Sequence, residues 1–98
     1  MINETTRSIN GTSFHGTTIN TKVQKLIDLF PNSYYEENTG VEKSNFDFTL
    51  ETSEGVVFTI YDWKEYRPIG LNEVIEFHIG GLTKTDTENA KRELLKLI

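Results

Sequence analysis

Between Tyr61 and Arg67 the chain reads Tyr-Asp-Trp-Lys-Glu-Tyr-Arg, which crowds three aromatic rings, two bases and two acids into one short run. Such a set suits a flat, charged guest. Tyr61 and Trp63 can stack on a base at roughly 1–3 kcal/mol per ring. Lys64 or Arg67 can meet a phosphate, and Asp62 or Glu76 can accept from ribose hydroxyls or an exocyclic amine. A second group lies in Phe14–Asn20: Gly16 permits close backbone approach, and Thr17 and Thr18 offer hydroxyls. If a helix starts just after it, unpaired first-turn amides would join them in holding an anion. Plain helix capping would use the same residues. His15 and His78 are the only two histidines, and Gly80 and Gly81 add a second permissive backbone turn. The candidate ligand-binding residues are therefore His15, Gly16, Thr17, Thr18, Tyr61, Asp62, Trp63, Lys64, Arg67, His78, Gly80 and Gly81.

Other chemistries are less well served. Cysteine is absent, and no serine sits on a glycine-flanked elbow, so a nucleophilic enzyme lacks its parts. A metal would need His15, His78 and Asp62 or Glu76 to converge, without a supporting spacing. Glu76 and His78, two apart on a strand, point the same way and leave acid–base work open. No catalytic residue, metal ligand or cofactor is assigned.

A chain of 98 residues allows one domain with a core drawn from few elements. No apolar run approaches the ~20 residues that span a bilayer. The first residues lack a basic patch followed by an apolar stretch, which together with the absent cysteines leads to a cytoplasmic expectation. The net charge of −5 is uneven: residues 1–33 sum to +1 (three bases, two acids), 34–66 to −6 (two bases, eight acids) and 67–98 to 0 (five of each). An acidic surface disfavours direct DNA binding, which depends on phosphate neutralisation by Lys and Arg. It serves solubility, or imitates the charge of a nucleic acid.

Residues 1–13 hold only Ile2 and Ile9 as large apolar side chains and read as a flexible arm or a loosely paired edge strand, leaving residues 14–98 as a single α+β domain. Val23, Leu26, Ile27 and Phe30 recur at helical spacing, with Thr21 and Gln24 as a capping box and Pro31 as the stop. Residues 31–45 read as a loop with strands at its ends at most. Phe46, Phe48 and Leu50 alternate with polar neighbours, Ser53–Gly55 turn, and Val56 begins a partner strand. Ile75, Phe77 and Ile79 mark a third strand stopped by Gly80 and Gly81. Thr85 as N-cap, Glu88 as its box partner and Asp86 in the first turn open a second helix with Ala90, Leu94, Leu97 and Ile98 along one stripe. The expected fold is α+β: a three- to four-stranded antiparallel sheet with two helices on one face, in the order α-β-β-β-α. A period of two then places Asp47, Thr49, Val57, Thr59, Tyr61, Trp63, Glu76 and His78 on the opposite face. So aromatic a face binds a ligand, a second copy of the chain in a homodimer or higher homo-oligomer, or both.

The segments "FHGTTI", "VFTIYDWKEYRP" and "EFHIGG" together resemble small accessory proteins encoded by bacteriophages, in which HGT, YDWK and HIGG segments come in this order. The resemblance covers about Phe14 to Ile98. It implies a counter-defence setting in a host cytoplasm, where such proteins sequester nucleotide immune signals or block a host defence protein such as a CRISPR effector. In the second mode Trp63, Tyr61 and Arg67 would be hot spots, and Glu36, Glu37 and Glu42 would imitate phosphates. A small nucleotide-acting hydrolase is a further alternative.

Overall fold

The computed structural model describes residues 2–32, 34–36 and 44–98. The elements run β1 (Asn3–Glu4), β2 (Ser13–Lys22), α1 (Val23–Leu29), β3 (Tyr34–Glu36), β4 (Phe46–Glu51), β5 (Val57–Asp62), β6 (Val74–Gly81) and α2 (Lys84–Leu94). All strand pairs are antiparallel. The sheet order is β1-β4-β5-β6-β2, with β3 also on β4. β1 pairs with Leu50 and Glu51, and β3 with Phe46 to Phe48, so these two strands share one edge position.

Among the described residues the fold is α+β with two helices, as expected, but the sheet has six strands rather than three to four and the element order differs. The main addition is β2. Its residues are mostly Thr, Asn, Ser, Gly and His, and of its large apolar side chains only Ile19 is buried. An edge strand needs little apolar alternation, so the period-two signal is faint there. Residues 14–20 accordingly lie within a strand, which leads directly into α1. Thr21 still belongs to that strand, paired with Ile75, and is buried, so the expected capping box does not form. Lys22 precedes α1 without a side-chain cap, and Gln24 donates to Asp28 instead. In α2 the N-cap is Thr83, two residues before the expected Thr85, and its Oγ1 accepts from the Asp86 amide at 3.1 Å.

The central hairpin follows its sequence closely. Along β4, burial alternates residue by residue, with Phe46, Phe48 and Leu50 inward. Gly55 takes φ +81° in the turn to β5, a conformation that favours glycine, and its amide donates to the Thr52 carbonyl. β6 does not stop at the glycines but includes both. Phe58, Ile60, Phe77 and Ile79 complete the inner face of the sheet, and Val23, Leu26, Ala90 and Leu94 bring both helices into the same core. Each of these side chains is fully buried, and removing one to alanine costs about 2–5 kcal/mol for the larger ones.

Ile2 joins this core at 5% exposure, which anchors the start of the chain. From β1 at one edge, residues 5–12 reach β2 at the other by crossing one end of the outer face. Arg7 donates to the Glu51 carboxylate and to the Gly55 carbonyl, at 2.9 and 2.6 Å. This strap explains why Val57 and Thr59 are buried although they face away from the helices. Among the described residues no helix is long and apolar enough to cross a membrane. Glu36 lies in β3, whereas Glu37 and Glu42, expected as phosphate imitators, lie outside the described residues.

Candidate ligand-binding site

Register places the key side chains in rows. Tyr61 stands opposite both Asp47 and His78, and His78 opposite Thr18, so these four cross the outer face in line. One step along, Thr59 stands opposite Thr49 and Gly80, and Gly80 opposite Phe14. Antiparallel neighbours on one face lie close enough for their side chains to touch. Here they form a cluster of four rings: His78 lies stacked on Phe14, Tyr61 meets His78 edge-on, and Trp63 approaches both Tyr61 and His78 with centroids 6.0 Å away. The structure thus brings together Tyr61, Trp63 and His78 from the candidates, and adds Phe14.

Phe14 escapes a sequence reading because the β2 register is irregular. Phe14 pairs with Gly80 and Thr18 with His78, so β2 takes four steps where β6 takes two. The extra residues are even in number, and Phe14 and Thr18 therefore share a face. A lone phenylalanine in a mostly polar strand is the available signal.

Beside the rings lies an open trough of about 910 Å³. Its floor is Asp47, Thr49, Thr59 and Tyr61, the strap forms one wall, and Trp63, Asn32 and Tyr34 stand around the rest. Burial raises the Asp47 carboxyl above its usual range, Ser44 lowers it through a hydrogen bond, and the Asp62 charge raises it again. Burial and then the Asp47 charge push the Tyr61 phenol upward as well, keeping it a neutral donor. Burial lowers the His78 imidazole, against a smaller opposing effect of Glu76. A trough floored by hydroxyls and one carboxylate, with rings at its side, can hold a guest that combines a flat ring with donor groups.

Lys64 follows Trp63 with φ +55°, and its Nζ lies 5.6 Å from the Trp63 ring centroid, within cation–π range. Tyr66 also takes a positive φ, +51°. Two non-glycine residues in that region cost of order 1–3 kcal/mol each, and such strain gathers where the chain holds a side chain in a set place.

Asp62 is not at this site. It is fully buried, and its carboxylate accepts from the amides of Asn45 and Phe46 and from Asn45 Nδ2, all within 3.0 Å. Parity turns it inward from Tyr61, and at the strand end it anchors the entry to β4. Arg67 is likewise engaged elsewhere: it pairs with Glu73 through both terminal nitrogens and approaches Glu65. These contacts lie within its own loop.

The glycine-rich candidates divide. Gly80 belongs to the floor beneath the rings, since a Cβ there would lie 2.5 Å from Thr59 Oγ1 and 3.4 Å from the Tyr61 ring. Gly81 sits under α2, where a Cβ would meet Thr87 at 2.9 Å. His15 turns to the Gly81 carbonyl at 3.0 Å, so the two histidines occupy separate settings. Thr17 is buried against Thr87, while Gly16 and Thr18 border a cleft beside α2. Among the described residues no group of His, Cys, Asp or Glu converges to hold a metal. No family model, curated protein or solved structure matches this chain.

Proposed function

We propose that this chain binds a small nucleotide-like ligand on the outer face of its sheet and sequesters it without transforming it. The supporting observation is that Tyr61 and Trp63, which belong to one ring cluster with Phe14 and His78, line a trough of about 910 Å³. Trp63 is 40% exposed at the trough and offers a stacking surface. Asp47 accepts from an exocyclic amine or a ribose hydroxyl, Thr49 and Tyr61 add hydrogen bonds, and Lys64 beside Trp63 meets a phosphate. The setting suggested by the phage-type segments is a host cytoplasm in which the ligand is an immune signal. Self-association belongs to the same proposal, because β2 forms a long sheet edge flanked by exposed Val74 and Leu95.

The test is a thermal-shift panel of cyclic and linear nucleotides. A ligand present at about 100 times its Kd adds roughly 2.7 kcal/mol to stability, and Trp63→Ala should weaken binding about tenfold or more. Recovery of the ligand intact supports sequestration, and recovery of cleaved ligand favours a nucleotide-acting hydrolase. A panel in which nothing raises the melting temperature overturns the reading.

One observation favours a second reading. Trp63, Tyr66 and Leu71 are 40%, 54% and 42% exposed around a single loop, a composition suited to a protein hot spot. Capture of one host defence protein, lost on Trp63→Ala, with no nucleotide response would establish inhibition instead.

A further inference from the structure

A cationic cleft lies along β2, apart from the trough. Lys84, Glu88, Lys91 and Arg92 of α2 face Gly16, Thr17 and Thr18 across a space of about 510 Å³. The four helical positions fall on one stripe by their spacing. Three cations against one acid give a local charge of +2 in a chain of net charge −5. Among the described residues, the side chains of Lys84, Lys91 and Arg92 enter no ion pair or hydrogen bond. Lys84 is also the first residue of α2, where the positive end of the helix dipole opposes a cation. Stability alone would place an acid there.

The facing strand is shaped to admit a guest. Gly16 has φ +92°, and no atom lies within 4 Å of a Cβ built on it. The register gives residues 15–17 no partner on β6, so the backbone departs from the ladder where it borders the cleft. The Thr87 hydroxyl donates to the Lys84 carbonyl at 2.7 Å, so in the 2.7 Å contact between Thr17 Oγ1 and Thr87 Oγ1 the donor is Thr17. This buried relay fixes strand and helix as two walls at a set spacing. A preorganised cleft loses less on binding than one that must be ordered.

We propose that this cleft binds a small phosphorylated molecule through a di- or triphosphate group, independently of the aromatic trough. Two lysines supply point charges and Arg92 a planar fork for paired phosphate oxygens. Gly16 lets the chain come close from the strand side. A polyphosphate can meet three separated cations together, which a single phosphate cannot do equally well.

The experiment is an amide NMR titration of the full chain with sodium pyrophosphate at about 0.15 M salt, where long-range screening is strong. Saturable shifts are expected at Gly16, Thr18, Lys84, Lys91 and Arg92. The double variant Lys91→Gln/Arg92→Gln should bind pyrophosphate about tenfold more weakly or worse, and Trp63→Ala should bind it as the native chain does. If the double variant does not fold, Lys84→Gln is read in its place. Equal shifts with sodium chloride at matched ionic strength, or undiminished binding by the charge variants, would overturn the proposal. Loss of pyrophosphate binding in folded Trp63→Ala would overturn the independence of the two sites.

Discussion

The imidazole of His78 lies flat on the ring of Phe14, with centroids 3.8 Å apart and planes 13° from parallel. The two residues come from adjacent strands and close the ring cluster on its β2 side. Burial among these rings lowers the His78 pKa below its ordinary 6.5, the Glu76 charge opposing in part. With the folded value depressed, the stability contribution is whole above 6.5. It is lost as pH falls through the folded pKa, because the unfolded chain takes up the proton first. Urea unfolding across this range should show a decline in stability with acidification that His78→Phe reduces. An unchanged pH profile in that variant would place the titration elsewhere.

Asp47 presents the opposite sign. Its carboxyl is raised mainly by burial, so ionisation at neutral pH disfavours the folded state, and that penalty disappears below the unfolded value of 3.8. Asp47→Asn, which keeps an acceptor for Ser44, should melt higher than the native chain at pH 7 and lose the advantage in acid. If Asp47 reads the donor groups of a bound nucleotide, the same variant should bind that nucleotide about tenfold more weakly. Calorimetry on one preparation measures both.

Asp62→Ala should be among the most damaging single changes. It strips the acceptor from two backbone amides and one side-chain amide in a fully buried place. Leaving such donors unmet costs about 2–5 kcal/mol in all. Chemical denaturation measures the loss, and a change under about 1 kcal/mol would mean that water replaces the carboxylate.

Gly80→Ala should destabilise by roughly 1–3 kcal/mol, because its methyl would lie 2.5 Å from Thr59 Oγ1. Thr59→Ala removes the obstructing hydroxyl and should recover part of that loss. The double-mutant cycle should therefore be non-additive; additive effects would show that the strain is relieved elsewhere.

The sequence exposes β4, β6 and α2 because each buries a regular stripe, and β5 follows as the partner of β4 across the Ser53–Gly55 turn. Phe46, Phe48 and Leu50 declare their strand by alternation, and Ala90 and Leu94 their helix by spacing. β2 is obscure for the opposite reason: its only buried large apolar side chain is Ile19, and the surplus between Phe14 and Thr18 shifts its register on β6. The outward set of Tyr61, Trp63 and His78 was legible from parity alone. The same parity turns Asp62 inward, but the run of charged and aromatic residues beyond it masked the end of the strand. The engagement of Arg67 with Glu73 is a loop contact without a periodic signature. Thr83 and Thr85 are both plausible caps by type, and only the path of the chain out of β6 selects between them.

The surplus in β2 between Phe14 and Thr18 carries a consequence for how this chain can change over generations. Lengthening or shortening there by two residues would alter the outline of the sheet margin while leaving Phe14 above His78. Gain or loss of a single residue would roll the start of the strand over and dismantle the stack. Descendants that keep the aromatic cluster should therefore vary in length at Gly16 only in pairs.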